Sequence, residues 1–272
     1  MYENKKILIT GAASGIGKLL ATQFAKYQCQ LILVDYNSEA LEATKDELSN
    51  ASISQAAIDC FVCDLNQEDL LMQTIEKIKD QFQYIDILVN NAGIVSGKPL
   101  VNLSNDDIKR TFMVNTIAPF ILCREFVKEM IERDQGQIIN LCSASSYVGV
   151  PKLSDYAASK AAILSMDESI RLELKQMKSH VVTTAFCPYY INTGMFDGVK
   201  TRFSFLLPIL KPEYVCQRLM KAIAKKEKRV IIPPFVYLSF VIKVFPPVIF
   251  DALLSFFGIN SSMDEFKGRK KS

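Results

Sequence analysis

The chain of 272 residues has no tryptophan and one histidine, His180. A lone histidine leaves a zinc site without its usual nitrogen ligands, which argues against zinc-dependent alcohol chemistry. His180 itself reads as a surface residue ahead of a strand. No charge of one sign dominates: 32 Lys and Arg face 29 Asp and Glu, for a net +3. That balance offers no basic surface for nucleic acid. The seven cysteines are odd in number and lack framework spacing, which points to a reducing compartment. Cys60 and Cys63 fall in an expected strand, where residues three apart point to opposite faces, so they are not read as a ligand pair. No apolar run reaches the ~20 uninterrupted residues of a spanning helix. Internal repeats and low-complexity linkers are also missing.

What is present is an alternation of strand and helix signals. Apolar runs predict strands near 5–10, 30–35, 58–63, 85–90, 136–142, 181–187 and 229–232. Periodic stretches predict helices near 15–28, 38–49, 67–82, 104–133, 155–178 and 212–226. Strands that are apolar on both faces, separated by helices, imply an α/β fold: a doubly wound parallel sheet covered on both sides. The length suits one large domain. We place it at residues 1–232, with residues 233–272 as an apolar helical C-terminal extension. A first strand by residue 5 leaves no room for a signal peptide. The expected location is the cytoplasm or the cytoplasmic face of a membrane.

Three signals lie at the carboxyl ends of expected strands, where ligands bind in such sheets. The first is Thr10-Gly11-Ala12-Ala13-Ser14-Gly15-Ile16-Gly17, between a strand and a helix. Its glycines permit a tight turn and close approach of backbone to a ligand, and the helix start favours a pyrophosphate. The second is Asp35, 18 residues past Gly17, near the ~20 expected for an acid that binds an adenosine ribose. Its carboxylate would accept hydrogen bonds from the ribose and repel a 2′-phosphate. Neither Ser14 nor Tyr36 offers a compensating cation, although Lys18 is close in sequence; NAD(H) is therefore expected over NADP(H). The third is Asn90-Asn91-Ala92-Gly93, small residues against which a cofactor can lie, or equally a simple turn.

A fourth constellation carries the chemistry. Tyr156 and Lys160, four apart, share a helix face, and Ser143 stands 13 residues before Tyr156 at the end of a strand. A serine hydroxyl and a tyrosine can converge on one substrate oxygen. Tyrosine is a poor base at its ordinary pKa of ~10, and a nearby ammonium would favour the phenolate. Ser143 would stabilise charge developing on the oxygen. Ser145 and Ser146 are rival serines. Asn115 could bend or cap its helix, and Asp64 could cap the helix that follows it.

Together, Thr10–Gly17, Asp64, Asn90–Gly93, Asn115, Ser143, Tyr156, Lys160 and Pro188 to Thr193 resemble the short-chain dehydrogenase/reductase family. The resemblance runs over residues 5–195 in the family's order, and extends to its membrane-associated retinol and hydroxysteroid dehydrogenase branch. The family's usual Pro-Gly is Pro188-Tyr189 here. The resemblance implies a Rossmann-type fold and an oxidoreductase with Asn115, Ser143, Tyr156 and Lys160 as catalytic residues. It implies cofactor contacts from Gly11, Ser14, Gly15, Ile16, Gly17, Asp35, Asp64, Leu65, Asn91, Ala92, Gly93, Tyr156, Lys160, Pro188, Ile191 and Thr193. In that scheme Lys160 also holds the nicotinamide ribose, Asn115 anchors a water chain to Lys160, and Asp64 faces the adenine. Ile191 and Thr193 hold the carboxamide. A homo-oligomer, dimer or tetramer, is implied as well.

Residues 194–211 carry Met195, Phe196, Phe203, Phe205, Leu206, Leu207, Ile209 and Leu210. As a lid they would select an apolar alcohol or carbonyl, such as a retinoid, steroid or long-chain alcohol; otherwise they complete the core. The stretch from Val230 to Gly258 is nearly all apolar but broken by prolines, Lys243 and Asp251. It reads as two short helices over 235–245 and 248–257 in a membrane interface, with Lys267, Arg269, Lys270 and Lys271 towards anionic headgroups. A pocket cap or a dimer contact is the other reading. Two other functions stand beside the dehydrogenase: an NADPH-dependent carbonyl or 3-oxoacyl reductase, and a non-enzymatic lipid-surface protein.

Overall fold

A computed structural model describes residues 2–52 and 54–268. The elements run β1 (Lys6–Thr10), α1 (Gly15–Phe24), β2 (Gln30–Asp35), α2 (Ser38–Asn50), β3 (Ala57–Val62), α3 (Glu68–Phe82), β4 (Ile87–Asn90) and α4 (Asn105–Phe112). They continue with α5 (Ala118–Glu132), β5 (Gln137–Leu141), α6 (Ser154–Gln176), β6 (Val182–Pro188), α7 (Pro212–Lys225), β7 (Arg229–Ile232), α8 (Leu238–Ile242) and α9 (Pro247–Phe256). The seven strands form one parallel sheet in the order β3-β2-β1-β4-β5-β6-β7. The winding direction reverses between β1 and β4, which opens a crevice at their carboxyl ends.

Successive strand residues feed opposite cores. Leu8, Ile32, Leu88 and Ile138 pack with α3, α5 and α6, whereas Ile7, Ile9, Leu31, Leu33 and Ile139 pack with α1, α2 and α7. Cys63, just past β3, joins the first core, and Cys60 packs against the second, as opposite-facing residues must. His180 is exposed and bonds Asp134 2.6 Å away, just ahead of β6.

The helix expected over 104–133 is broken. A π-helical turn, Met113–Ile117, separates α4 from α5. Pro119 has no N–H to return to the carbonyl four residues back, that of Asn115, and the Ala118 N–H instead reaches the Met113 carbonyl. Asp64 does not cap α3. That position belongs to Gln67, while the Asp64 carboxylate accepts from the Asn66 N–H at 2.9 Å.

The C-terminal region forms the two short helices α8 and α9, then runs back over the 194–200 segment. The Lys200 N–H donates to the Ser262 carbonyl (3.1 Å), the Lys267 N–H to the Asp197 carbonyl (2.8 Å), and Tyr190 Oη pairs with Ser262 Oγ (3.1 Å). Arg269, Lys270 and Lys271 lie outside the described residues. Among the described residues no helix is long and apolar enough to cross a membrane.

Candidate active site

The glycine turn leaves β1 at the crevice. Gly11 has φ +66° and Gly15 φ +54°, conformations that favour glycine. Asn91 ties the turn to β4: its Nδ2 donates to the carbonyls of Thr10 (2.9 Å) and Gly11 (3.1 Å). The Asn91 and Ala92 N–H groups in turn donate to Thr10 Oγ1, both at 3.1 Å. Gly17, expected to touch cofactor, does not line the cavity. A Cβ there would collide with the Gly11 carbonyl and lie 2.6 Å from Asn91 Nδ2, so this glycine is required by the packing of helix against turn.

Asp35 ends β2 at the cavity wall, with its carboxylate accepting from the N–H groups of Ala13 (3.0 Å) and Asn37 (3.1 Å). It thus braces the glycine turn from behind while facing the cleft. Lys18 turns away to Glu47, 2.6 Å off, and does not line the cleft. Asn90 points into the core, where Nδ2 donates to Asn140 Oδ1 at 2.9 Å. Asn140 donates to Asp167, and Thr183 completes the buried chain across β4, β5, α6 and β6.

Ser143 follows β5, and α6 presents Tyr156 and Lys160, all three on the cavity wall. Ser145 Oγ donates to Ser143 Oγ at 2.9 Å, and Ser146 Oγ donates to the Lys160 carbonyl at 2.8 Å. Ser146 therefore supports its neighbour from outside the lining, whereas Ser145, bonded to Ser143, lines the cavity as well. Lys160 Nζ donates to the Leu141 carbonyl at 2.6 Å and lies 5.9 Å from the centre of the Tyr156 ring. Burial draws Lys160 down to about 8. Burial also pushes the Tyr156 phenol well above its ordinary range, opposed by a hydrogen bond from Ser143. The expected lowering by the ammonium is not found: desolvation of the phenol prevails.

Asn115 stands behind the cavity wall, outside its lining. Its Oδ1 accepts from the Ile94 N–H (2.8 Å), and its Nδ2 donates to the Ile94 carbonyl (2.9 Å) and to Ser159 Oγ (3.0 Å). A Cβ on Gly93 would sit 3.4 Å from both Asn115 Oδ1 and Lys160 Nζ, so the chain after β4 passes beside the lysine. The other expected contacts, Gly11, Ser14, Gly15, Ile16, Asp64, Leu65, Asn91, Ala92, Gly93, Pro188, Ile191 and Thr193, all line the same cavity. Tyr189 keeps an ordinary φ, and its N–H reaches the Ile232 carbonyl at 2.8 Å, so the loop needs no glycine there.

The cavity, of about 610 Å³, continues past Tyr156 into an apolar chamber. Met195, Phe196 and Leu207 of the expected lid line it, and Phe196 meets the Tyr156 ring edge-on at 5.6 Å. Leu210 instead joins the core, Phe203 packs on Phe256 and Phe257, and Phe205 is exposed. Phe235, Val236, Ser239, Ile242, Leu254 and Phe257 bring the C-terminal extension onto the chamber wall. Sequence reasoning missed these, together with Cys63, Arg110 and Val114 on the cofactor side. Arg110 and Val114 are four apart across the junction of α4 and the π-helical turn, and that spacing could have marked them as one face.

Residues 5–202 match the model of the short chain dehydrogenase family, so the chain belongs to the short-chain dehydrogenase/reductases and is an oxidoreductase. Within that family it falls in the retinol dehydrogenase-like branch. It is 34% identical to short-chain dehydrogenase/reductase family 16C member 6 of Bos taurus, over 98% of this chain and 84% of the relative. Identity is also 34% to epidermal retinol dehydrogenase 2 of Homo sapiens, over 97% and 86%. Retinol dehydrogenase 10-B of Danio rerio is 32% identical, over 99% and 86%. Among solved structures, a short-chain dehydrogenase/reductase from Burkholderia phymatum in complex with NAD superposes with a TM-score of 0.78 at 23% identity, over 89% of this chain and 94% of that one. A short-chain dehydrogenase from Sphingobium yanoikuyae in complex with NADPH gives 0.76 at 23%, over 98% of each. These two share the fold.

Proposed function

We propose that the chain is an NAD(H)-dependent alcohol dehydrogenase acting on the CH–OH group of an apolar substrate of retinoid, steroid or long-chain type. The observation that carries the reading is one cavity joining the glycine turn, Ser143, Tyr156 and Lys160 to an apolar chamber. The residues fit a dinucleotide: the turn of Gly11 is open to backbone approach, α1 begins beneath it, and Asp35 faces the ribose position. Bound there, the nicotinamide supplies the hydride acceptor. Asp35 together with the diversion of Lys18 to Glu47 favours NAD over NADP. Arg110 is the exposed cation on the cleft, and a preference for NADP would point to it.

In the oxidative direction the Tyr156 phenol first gives up its own proton towards Lys160, and the phenolate Oη then takes the alcohol proton while Ser143 donates to the same oxygen. Tyr156 then has to pass the proton on. Lys160, drawn down to about 8, is suited to exchange it near neutral pH. Asn115 acts through the Ile94 peptide that it holds at both ends, keeping Gly93 beside Lys160, and would anchor the water chain there. Phe196 and the extension keep bulk water from the chamber. Functionally, residues 1–232 bind the cofactor and do the chemistry, and 233–272 shape the substrate chamber.

The extension also suits peripheral membrane contact on the cytoplasmic side. Val244 and Val248 are 85% and 81% exposed, beside exposed Lys243, Phe245 and Ile249. Co-sedimentation with anionic vesicles, lost on Val244→Asp with Val248→Asp, tests this. A homo-oligomer would cover exposed Ile117, Phe120 and Leu172 on the α5 and α6 side, and light scattering would report a mass above 30.6 kDa. The activity is tested by NAD⁺ and NADP⁺ reduction with all-trans-retinol, a hydroxysteroid and a long-chain alcohol. Turnover only with NADPH and a carbonyl would overturn the reading in favour of a reductase.

A further inference from the structure

The segment after α9, residues 259–268, has no helix or strand, yet Met263 is 1% exposed and Ser262 2%, deeper than irregular segments usually lie. Met263 shares one apolar cluster with Tyr156, with Leu153 just before α6, and with Tyr190 and Val199 after β6. Lys152 Nζ donates to the carbonyls of Met263 (3.1 Å) and Asp264 (3.2 Å). The lid is tied to the same segment by the bonds of Lys200 to Ser262 and of Lys267 to Asp197. Two loops approach it as closely as glycine allows: a Cβ on Gly97 would collide with the Phe266 ring, and one on Gly198 with the Glu265 carbonyl. One segment thus joins the loops after β4, before α6 and after β6. A chain of rings runs from it to the reacting phenol. Ser262 Oγ pairs with Tyr190 Oη at 3.1 Å, Tyr190 meets Phe196 edge-on at 5.1 Å, and Phe196 meets Tyr156. Neither Ser262 nor Met263 lines the cavity.

We propose that Ser262 and Met263 are positioning residues of the active site. Without touching substrate, they hold the Tyr156 ring and the lid in the arrangement that carries out the oxidation. Met263 acts through the cluster it shares with Tyr156, and Ser262 through the hydroxyl of Tyr190 and the ring of Phe196. The inference rests on the dehydrogenase reading for its effect on turnover, and on the packing alone for its hold on the lid.

Turnover is measured on the full chain with NAD⁺ and an apolar alcohol that it oxidises, at a temperature where circular dichroism shows each variant folded. Met263→Ala is expected to lower kcat about tenfold or more, because a small misplacement of a reacting group is costly, while calorimetric affinity for NAD⁺ is kept. Met263→Leu, which refills the volume, should recover most of the loss. Ser262→Ala, which leaves the packing nearly intact, should lower kcat about threefold or more, as the loss of one buried hydrogen bond implies. Tyr190→Phe should match it, and the double variant should be no worse than either. Native kcat in Met263→Ala or in Ser262→Ala, whatever the fall in Tm, overturns the inference for that residue and leaves the dehydrogenase reading intact. Should Met263→Ala fail to fold, Ser262→Ala and Tyr190→Phe decide. If no alcohol turns over, the dehydrogenase reading fails, and hydrogen exchange decides the hold on the lid. The Lys200 amide, bonded to the Ser262 carbonyl, should then exchange about tenfold faster in Met263→Ala, and an unchanged rate refutes it.

Discussion

Replacing Asp167 with asparagine should stabilise the protein, and only above mildly acidic pH. Asp167 is 1% exposed between β5, β6 and α6, where it accepts from Asn140 Nδ2 at 2.9 Å and from Thr183 Oγ1 at 3.1 Å. Burial lifts its pKa from 3.8 to about 6, more than these two bonds lower it. That rise puts a penalty of about 3 kcal/mol on the ionised form in the folded chain. Because the folded value is raised, the favourable contribution of the protonated carboxyl is complete below pH 3.8 and lost as pH climbs through about 6. Asparagine keeps an acceptor for Asn140 and can donate to Thr183, whose hydroxyl already lies 3.5 Å from the residue 167 carbonyl. Allowing for imperfect repacking, the expected gain is about 2 kcal/mol at pH 8, or ~4–8 °C in Tm. Thermal melts followed by circular dichroism at pH 8 and pH 4.5 measure it, and the gain should shrink by more than half at the lower pH. An equal gain at both pH values, or a lower Tm at pH 8, would refute the electrostatic reasoning.

Lys160→Met should lose turnover yet melt at a higher temperature than the native chain at pH 7. The native lysine is drawn down to about 8, so the fold disfavours its ammonium, and native stability should rise from pH 8 towards 10.5, where the folded chain has shed the proton and the unfolded chain still holds it; the gain from methionine should fade over that range. Gly17→Ala should weaken dinucleotide binding by at least about tenfold and cost about 1–3 kcal/mol, because the new methyl meets the Gly11 carbonyl. Calorimetric titration with NAD⁺ and a thermal melt report both. Asp35→Ser should move the NAD-to-NADP ratio of kcat/KM towards NADP by about tenfold or more, as removal of one opposing charge implies; an unchanged ratio would mean that Asp35 only braces the glycine turn.

Much of the fold was legible because parallel strands covered on both faces must be apolar throughout, and runs such as Leu31 to Val34 have no other use. Ser143, Tyr156 and Lys160 were singled out by their spacing taken together with the glycine turn, Asp35 and Asn90–Gly93 upstream and with the family resemblance, and the structure brings all three onto one wall. What escaped depends on packing between distant segments. Gly17 looked like a ligand contact, but its lack of a side chain serves Gly11 and Asn91. The break at Met113–Ile117 needed Pro119 to be read together with the demand of the Ile94 peptide on Asn115. The protonation of Tyr156 depends on how deeply Phe196 and the extension bury it, which no local pattern encodes.

The most direct test is NAD⁺ reduction by the native chain and by Tyr156→Phe, in detergent, with an apolar alcohol that the native chain oxidises. Loss of the phenol oxygen removes the acid–base group and leaves the ring packed on Phe196. The account predicts NAD⁺-linked oxidation by the native chain and a loss of about 10²–10⁴-fold in kcat for the variant, with NAD⁺ affinity kept. A variant that still turns over at the native rate would contradict it.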